Sequence, residues 1–178
     1  MAADPKKQIR GMRSKVSGDT FERWLSSSCD YYKDLGIAFI EKTPEPMRPI
    51  RPYGDRKKGQ YIACFVKCAQ PDYKGILCDG TGIMFEAKHT DTGRMQQSAV
   101  TDTQWECLDT YQKFGAHCFV MVSMGLTSFY RVPWDVWKNM KQLFGHKYMT
   151  PEELHPYMLK EKQCVIQFLE GVELRDED

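Results

Sequence analysis

Residues 71–88 read PDYKGILCDGTGIMFEAK, and this stretch decides the fold of the chain. Its apolar residues predict two short strands, at 74–78 and 82–88. The Asp79-Gly80 pair between them is typical of a tight hairpin turn, because both residue types tolerate the backbone that such a turn requires. The sequence therefore predicts an antiparallel hairpin with polar residues at its open end.

The polar residues at this open end form a candidate metal site. Residues i and i+2 of a strand lie on the same face, so Glu86 and Lys88 project together while Ala87 points into the core. If the hairpin brings Asp72 alongside, two carboxylates can hold a hard divalent cation such as Mg²⁺. Lys88 can then hold or help deprotonate a water that attacks a phosphate. A surface ion pair between Glu86 and Lys88 is the alternative interpretation.

Two further polar residues could support this site, and each has a competing role at a helix start. Glu22 could supply a third carboxylate, and Gln104 could contact a scissile phosphate or the attacking water. However, Glu22 lies three residues after Asp19, and Gln104 three residues after Thr101, which is the spacing of an N-terminal capping box. The same spacing predicts helices that begin at these two caps, and both roles stay open for both residues.

A proline-rich basic segment is predicted to project from the domain at residues 43–59. Four prolines fall within nine residues, at 44–52, and they exclude a regular helix or a central strand there. Tyr53 could stack on a base or sugar. Basic residues in this segment and near the N-terminus are the predicted DNA contacts: Arg10, Arg13, Arg48, Arg51, Arg56, Lys57 and Lys58. A solvated, flexible basic loop is the alternative.

Length and composition indicate one folded domain with a polarised charge. The 178 residues are 42% hydrophobic and 28% charged. Residues 1–74 carry 15 Lys/Arg against 9 Asp/Glu, or +6, and residues 75–178 carry 10 against 15, or −5, which sums to the net +1. A basic first half favours a phosphate-rich partner. No apolar run approaches the roughly 18 residues of a membrane span, and seven dispersed cysteines favour free thiols, so a cytoplasmic protein without a membrane partner is expected.

The remaining patterns predict a mixed α/β chain with a central mixed sheet flanked by helices. The strand at 60–68 is expected to join the hairpin in an antiparallel meander. Further strands are predicted at 37–42, 116–124, 128–132 and 164–169. Two later helices are predicted after Pro133 and Thr150. The expected organisation is a basic arm at 1–17, a single domain at 18–169 that contains the 43–59 insertion, and an acidic tail at 170–178.

Several motifs, read together, resemble the RecU family of Holliday junction resolvases. Their order and spacing match from about residue 10 to residue 169. They are Arg10-Gly11-Met12, Asp30-Tyr31-Tyr32, Gly36-Ile37-Ala38, Lys42-Thr43-Pro44, Pro71-Asp72-Tyr73-Lys74-Gly75 and Phe85-Glu86-Ala87-Lys88.

The resemblance implies a restriction-endonuclease-like, PD-(D/E)xK nuclease fold and a homodimer that cuts two opposed strands of four-way junction DNA. One or two Mg²⁺ or Mn²⁺ ions per site would be the cofactor. Asp72 and Glu86 would be metal ligands and Lys88 the water-positioning residue, with Glu22 and Gln104 as catalytic support. Residues 43–59 would form a stalk that enters the junction centre, with its basic residues facing DNA.

The chain also departs from the family pattern. RecU-like proteins usually carry Ser or Thr before the aspartate, whereas residues 69–71 are Ala-Gln-Pro, so hydroxyl help at the metal is lost. They usually carry His-Gln on the second helix, where Thr103 precedes Gln104 here. A divergent member from a phage or other mobile element fits these changes, acting at the nucleoid or on replicating phage DNA.

Two alternatives to a junction resolvase stay open. The same fold and metal site could serve a nuclease for duplex, flap or nicked DNA. A catalytically weak junction-binding recombination factor would retain the basic segments without efficient cutting. The sequence leaves a recombinase partner as an open question.

Overall fold

A computed structural model describes residues 5–66 and 70–172, with the side chains of residues 5–14 and 56 left aside. Its helices are α1 (Pro5–Asp34), α2 (Asp102–Lys113), α3 (Trp134–Lys138), α4 (Met140–Phe144) and α5 (Pro151–Leu154). Its strands are β1 (Ala38–Lys42), β2 (Met47–Pro52), β3 (Tyr61–Phe65), β4 (Tyr73–Leu77), β5 (Gly82–Thr90), β6 (Met95–Gln96), β7 (His117–Met124), β8 (Ser128–Pro133), β9 (Tyr148–Met149), β10 (Glu161–Lys162) and β11 (Val165–Ile166).

Five strands form the central sheet, in the order β1-β4-β5-β7-β8. Neighbouring strands are antiparallel except β5 and β7, which are parallel. The β4–β5 hairpin turns as the sequence predicted: Gly80 has φ +83°, and the Asp79 carboxylate accepts a hydrogen bond from the Thr81 N–H at 2.8 Å. The predicted mixed α/β architecture, a mixed sheet flanked by helices, is confirmed.

The sheet separates two apolar cores because alternate side chains of its strands point to opposite faces. On β7, Phe119 and Met121 pack into the core beneath α1, whereas Val120 and Val122 pack into the core beneath α2, α3 and α4. The first core is built on aromatic contacts, such as the stacked rings of Phe85 and Phe119 at 4.9 Å. The functional residues of β5 are therefore held between two packed layers.

Helix α1 begins much earlier than the sequence predicted. It starts at Pro5, so Asp19 and Glu22 lie in the middle of a 30-residue helix and neither caps its start. The capping prediction is therefore wrong. Proline suits the first turn of a helix, and the glycine and aspartate at 18–19 cost only about 1 kcal/mol each in a helix interior. The predicted arm at residues 5–17 is a helical extension, while residues 1–4 lie outside the described part.

The strand predicted at 60–68 does not join the main sheet, so the predicted meander is wrong in this respect. β3 pairs antiparallel with β2 in a separate two-stranded ribbon. Strand β2 forms despite its prolines because both strands of such a ribbon are edges, where a missing N–H is tolerated. The projecting segment is thus longer than residues 43–59 and includes β3.

Two other elements are shorter than predicted. The helix after Pro133 splits at Asn139 into α3 and α4, and the strand predicted at 164–169 is reduced to β11. The helix predicted after Thr150 is present as α5, and a capping box closes its start. Residues 173–178 of the acidic tail lie outside the described residues. In the described chain, no helix combines the length and apolar character that crossing a membrane requires.

Candidate active site

The register of the β4–β5 hairpin places the two predicted metal ligands side by side. Tyr73 is paired with Phe85, so the next position along the hairpin sets Asp72 opposite Glu86. Both side chains lie on the sheet face that carries α2, because Phe85 and Ala87 point to the other face. The charge of Asp72 acts on the Glu86 carboxyl group and helps to raise its pKa.

Asp72 accepts one backbone N–H hydrogen bond from each of its two neighbouring segments, one at its side chain and one at its backbone carbonyl. Its Oδ2 accepts a hydrogen bond from Ala87 N at 2.9 Å and lies 3.5 Å from Lys88 Nζ. Its backbone carbonyl accepts from Thr43 N at 2.8 Å, which extends the β1–β4 pairing by one residue. The carboxylate therefore has a defined orientation toward Glu86 and Lys88.

Glu86 is the most deeply buried member of the cluster, with an exposed fraction of 0%. Its Oε2 accepts hydrogen bonds from Lys88 Nζ at 2.8 Å and from Gln104 Nε2 at 2.6 Å. Its Oε1 is buried and has no hydrogen-bond partner among the described residues. Burial first, and then the charge of Asp72, raise the pKa of Glu86 to about 8, although Lys88 opposes this.

Lys88 remains a cation in this environment. Burial alone would lower its pKa, but the charges and hydrogen bonds of Asp72 and Glu86 outweigh burial and raise the pKa above its usual value. Its side chain is 16% exposed, so the contact with Glu86 is an internal ion pair rather than the surface pair considered as the alternative. The ammonium group thus sits beside both carboxylates with access to solvent.

Gln104 caps α2, as its spacing predicted, and also contacts Glu86. Its Oε1 accepts from Thr101 N at 3.0 Å and completes the predicted capping box of α2. Its Nε2 simultaneously donates to Glu86. The helix cap therefore fixes the glutamine at the point where it orients the Glu86 carboxylate.

Glu22 stands apart from this cluster. Its carboxylate is ion-paired with Lys42 at the end of β1, and its backbone carbonyl accepts from the Tyr73 hydroxyl at 2.9 Å. Across residues 5–66 and 70–172, no group of three or more His, Cys, Asp or Glu side chains is placed to hold a metal ion. Glu22 joins α1 to the strand ends beside the site, and Asp72 and Glu86 are the two acidic side chains of the cluster.

These two carboxylates fit a hard divalent cation. Both present oxygen donors, and the unpartnered Oε1 of Glu86 is a buried acceptor that a cation would satisfy. Burial first, and then the charge of Asp72, raise the pKa of Glu86, and a bound cation would oppose both. The donor set thus matches the predicted Mg²⁺ or Mn²⁺ site.

The β2–β3 ribbon places two predicted DNA contacts on one of its faces. Arg48 is paired with Cys64 and Arg51 with Ile62, and the register shifts between Pro49 and Arg51. On a regular strand, residues three apart would point to opposite faces. The register shift leaves one extra residue between the two arginines, so both arginines share a face.

The opposite face of the ribbon is apolar, a feature that the sequence reasoning missed. Met47 is paired with Phe65, and Pro52 with Tyr61. Phe65 is 68% exposed, Met47 59% and Tyr61 58%. The apolar run at residues 61–65 predicts a strand, but it does not specify which sheet the strand joins or which face stays exposed.

The tip of the ribbon carries the other predicted DNA contacts whose side chains the structure describes. Lys57 and Lys58 lie in a 3-10 turn, Arg56–Lys58, whose backbone bonds to Asp55. Tyr53 is 63% exposed beside this turn. The side chains of Arg10, Arg13 and Arg56 lie outside the described part of the structure.

Comparison with known proteins gives matches along most of the chain. The family model of recombination protein U, RecU, matches residues 16–174. The Holliday junction resolvase RecU of Bacillus pumilus is 31% identical over 156 residues, which cover 84% of this chain and 75% of that protein. The protein of the same name from Streptococcus gordonii is 32% identical over 111 residues, covering 59% of this chain and 54% of that protein.

Among solved structures, the chain is similar to Hjc of Archaeoglobus fulgidus, a Holliday junction resolvase from an archaeal hyperthermophile. The sequence identity is 15% and the TM-score is 0.42. The match covers 77% of this chain and 91% of that one.

Proposed function

The chain belongs to the RecU family, and on that premise we propose that it is a metal-dependent endonuclease that resolves Holliday junctions. The observation that carries the proposal is the buried contact of Asp72, Glu86 and Lys88 at the base of a projecting basic ribbon. The site supplies groups for phosphodiester hydrolysis, and the ribbon supplies a surface for DNA of a particular shape.

In the proposed mechanism, Asp72 and Glu86 hold one or two Mg²⁺ or Mn²⁺ ions. A bound divalent cation lowers the pKa of water and offsets the charge that develops on the phosphate. Lys88 holds the attacking water from the solvent side of the cluster. Gln104 keeps the Glu86 carboxylate in place through its hydrogen bond to Oε2, which limits reorganisation during the reaction.

The ribbon is proposed to recognise the junction with two different faces. Arg48 and Arg51 contact backbone phosphates, while the apolar side that carries Met47, Tyr61 and Phe65 packs on the base pairs at the junction centre. A homodimer with two-fold symmetry would present one site to each of two opposed strands. Paired, symmetric incisions follow from that arrangement.

A direct assay tests this proposal. A labelled mobile four-way junction and a matched duplex are incubated with the protein in Mg²⁺, in Mn²⁺ and in chelator. We expect paired symmetric nicks in the junction that require both the divalent ion and Asp72, so Asp72→Asn should abolish them while sparing junction binding. Asp34→Asn, at an exposed position near the end of α1, is the matched control.

Two results would overturn the proposal in different directions. Equal cutting of duplex and junction would indicate a nuclease for duplex, flap or nicked DNA. Junction binding without cleavage under any divalent ion would indicate a junction-binding recombination factor. Loss of junction binding by Asp72→Asn as large as the loss of cutting would remove Asp72 from the catalytic role.

A further inference from the structure

Thr43, at the root of the ribbon, lies in line with the two carboxylates of the site. Lys42 is paired with Tyr73, and Thr43 N donates to Asp72 O at 2.8 Å, so Thr43 is the residue opposite Asp72 on the neighbouring strand. Asp72 in turn lies opposite Glu86. The three residues form a row across adjacent strands, and directly opposed side chains in such a row are about 5 Å apart at Cβ.

The Thr43 hydroxyl has a property that simple packing does not explain. Its Oγ1 is buried and has no hydrogen-bond partner within the described residues. Only four side-chain atoms in that part of the chain share this state, and a second one is Oε1 of Glu86, in the same row. A buried hydroxyl without a partner destabilises a folded protein. Two unpartnered atoms in one row point to a polar ligand that bonds to both.

We propose that the Thr43 hydroxyl is a positioning group of the active site, which hydrogen-bonds a water in the shell of the cation held by Asp72 and Glu86. This inference rests on the cation site of the proposed function. Mg²⁺ and similar ions keep several of their waters when bound to few protein ligands. Threonine can accept a hydrogen bond from such a water, and residues that hold the outer shell tune cation affinity.

This role would also compensate for the lack of a hydroxyl group in the residues just before Asp72. Residues 69–71, which precede Asp72 along the chain, carry no hydroxyl. Thr43 supplies one from the neighbouring strand instead, at a position that is distant in sequence but opposite Asp72 in the sheet. Thr43 also begins the segment that connects β1 to the ribbon. Any movement of this segment would therefore shift the hydroxyl relative to the cation.

The test compares two substitutions in protein without DNA. Thr43→Val removes the hydroxyl and keeps the shape, whereas Thr43→Ser keeps the hydroxyl. In calorimetric titration with Mn²⁺, we expect Thr43→Val to weaken binding about tenfold or more and Thr43→Ser to stay within about twofold of wild type. In chelator, Thr43→Val should raise the melting temperature, because it removes a buried group without a partner.

Other results would distinguish failure of the Thr43 role from failure of the cation site. If Thr43→Val binds Mn²⁺ like wild type while Asp72→Asn loses binding, the cation site stands and the Thr43 role is overturned. A lower melting temperature of Thr43→Val in chelator would also overturn it, since the hydroxyl would then have a partner within the fold. If Asp72→Asn binds Mn²⁺ like wild type, the cation site itself fails and the Thr43 role fails with it.

Discussion

The cluster of Asp72, Glu86 and Lys88 and the β2–β3 ribbon meet at Thr43, yet they are built in opposite ways. In the cluster, Glu86 is fully buried and its Oε2 is held by both Lys88 and Gln104. In the ribbon, every residue of β2 is exposed. The difference reflects two tasks: groups that act on a reacting phosphate must be preorganised away from bulk water, whereas groups that recognise a large DNA surface must remain accessible.

The largest expected effect is that of removing the ammonium group of Lys88. Lys88→Met should lower the single-turnover rate of junction cleavage about 10³-fold, because it removes the group that holds the attacking water. Junction affinity should stay close to that of wild type. Lys74→Met is the matched control, since Lys74 is exposed and its ammonium group donates to Gln70 Oε1 at 3.2 Å, away from the cluster. A parallel loss of affinity and rate would assign Lys88 to DNA binding instead.

Removal of the ribbon should separate recognition from chemistry. Replacing residues 47–65 with a short Gly-Ser linker is compatible with the fold, because Lys42 and Tyr73 are already paired and the loop closes at small entropic cost. The ratio of junction to duplex affinity should fall to about one, while the melting temperature stays within a few degrees. The measurement is a binding titration on both DNAs, and an unchanged ratio would show that junction preference arises elsewhere.

The two faces of the ribbon should respond differently to salt. Arg48→Ala combined with Arg51→Ala should weaken junction binding about tenfold and reduce the slope of log affinity against log salt by about two, as expected for two lost phosphate contacts. Met47→Ala combined with Tyr61→Ala, on the opposite face, should weaken binding without changing the slope. Identical slopes for the two double variants would contradict the division between the faces.

The last effect concerns the stability of the cluster, which should change with pH. Without metal, the pKa of Glu86 is about 8 in the folded protein, against 4.5 as its ordinary value. The unfolded chain therefore loses this proton first as pH rises, and the contribution of Glu86 to stability, complete below pH 4.5, declines until about pH 8.

The glutamine of Glu86→Gln cannot ionise. In chelator, the free energy of unfolding of this variant should therefore rise relative to that of wild type between pH 5 and pH 8. The gain should reach a few kcal/mol, because each pH unit between the two pKa values contributes about 1.4 kcal/mol. Urea unfolding at both pH values measures it. A constant difference between the two proteins across this range would show that Glu86 is already ionised in the metal-free fold.

Local signals in the sequence predicted the elements that carry the site. The Asp79-Gly80 turn and the capping box at Thr101 are both present in the structure. Each is decided by hydrogen bonds between residues within three positions of one another. The start of α1 was missed because Asp19 has the local signature of a cap, and only the continued helix shows otherwise.

Pairing between distant segments could not be predicted in the same way. The apolar run at residues 61–65 identified a strand but not its neighbour, and the strand pairs with β2 instead of the hairpin. The register shift that puts Arg48 and Arg51 on one face has no signature in their spacing. Similarly, Glu22 matched the residue type of a third ligand, but its carboxylate is paired with Lys42.

The sequence by itself determined that Glu86 and Lys88 share a face and that a hairpin precedes them, because side-chain alternation and turn chemistry are properties of a few neighbouring residues. Only the tertiary structure decided that Gln104 reaches Glu86 and that Thr43 lies beside Asp72, since Gln104 and Thr43 come from segments distant from the hairpin. These contacts depend on strand order, register and helix packing, which follow from burying two apolar cores at once.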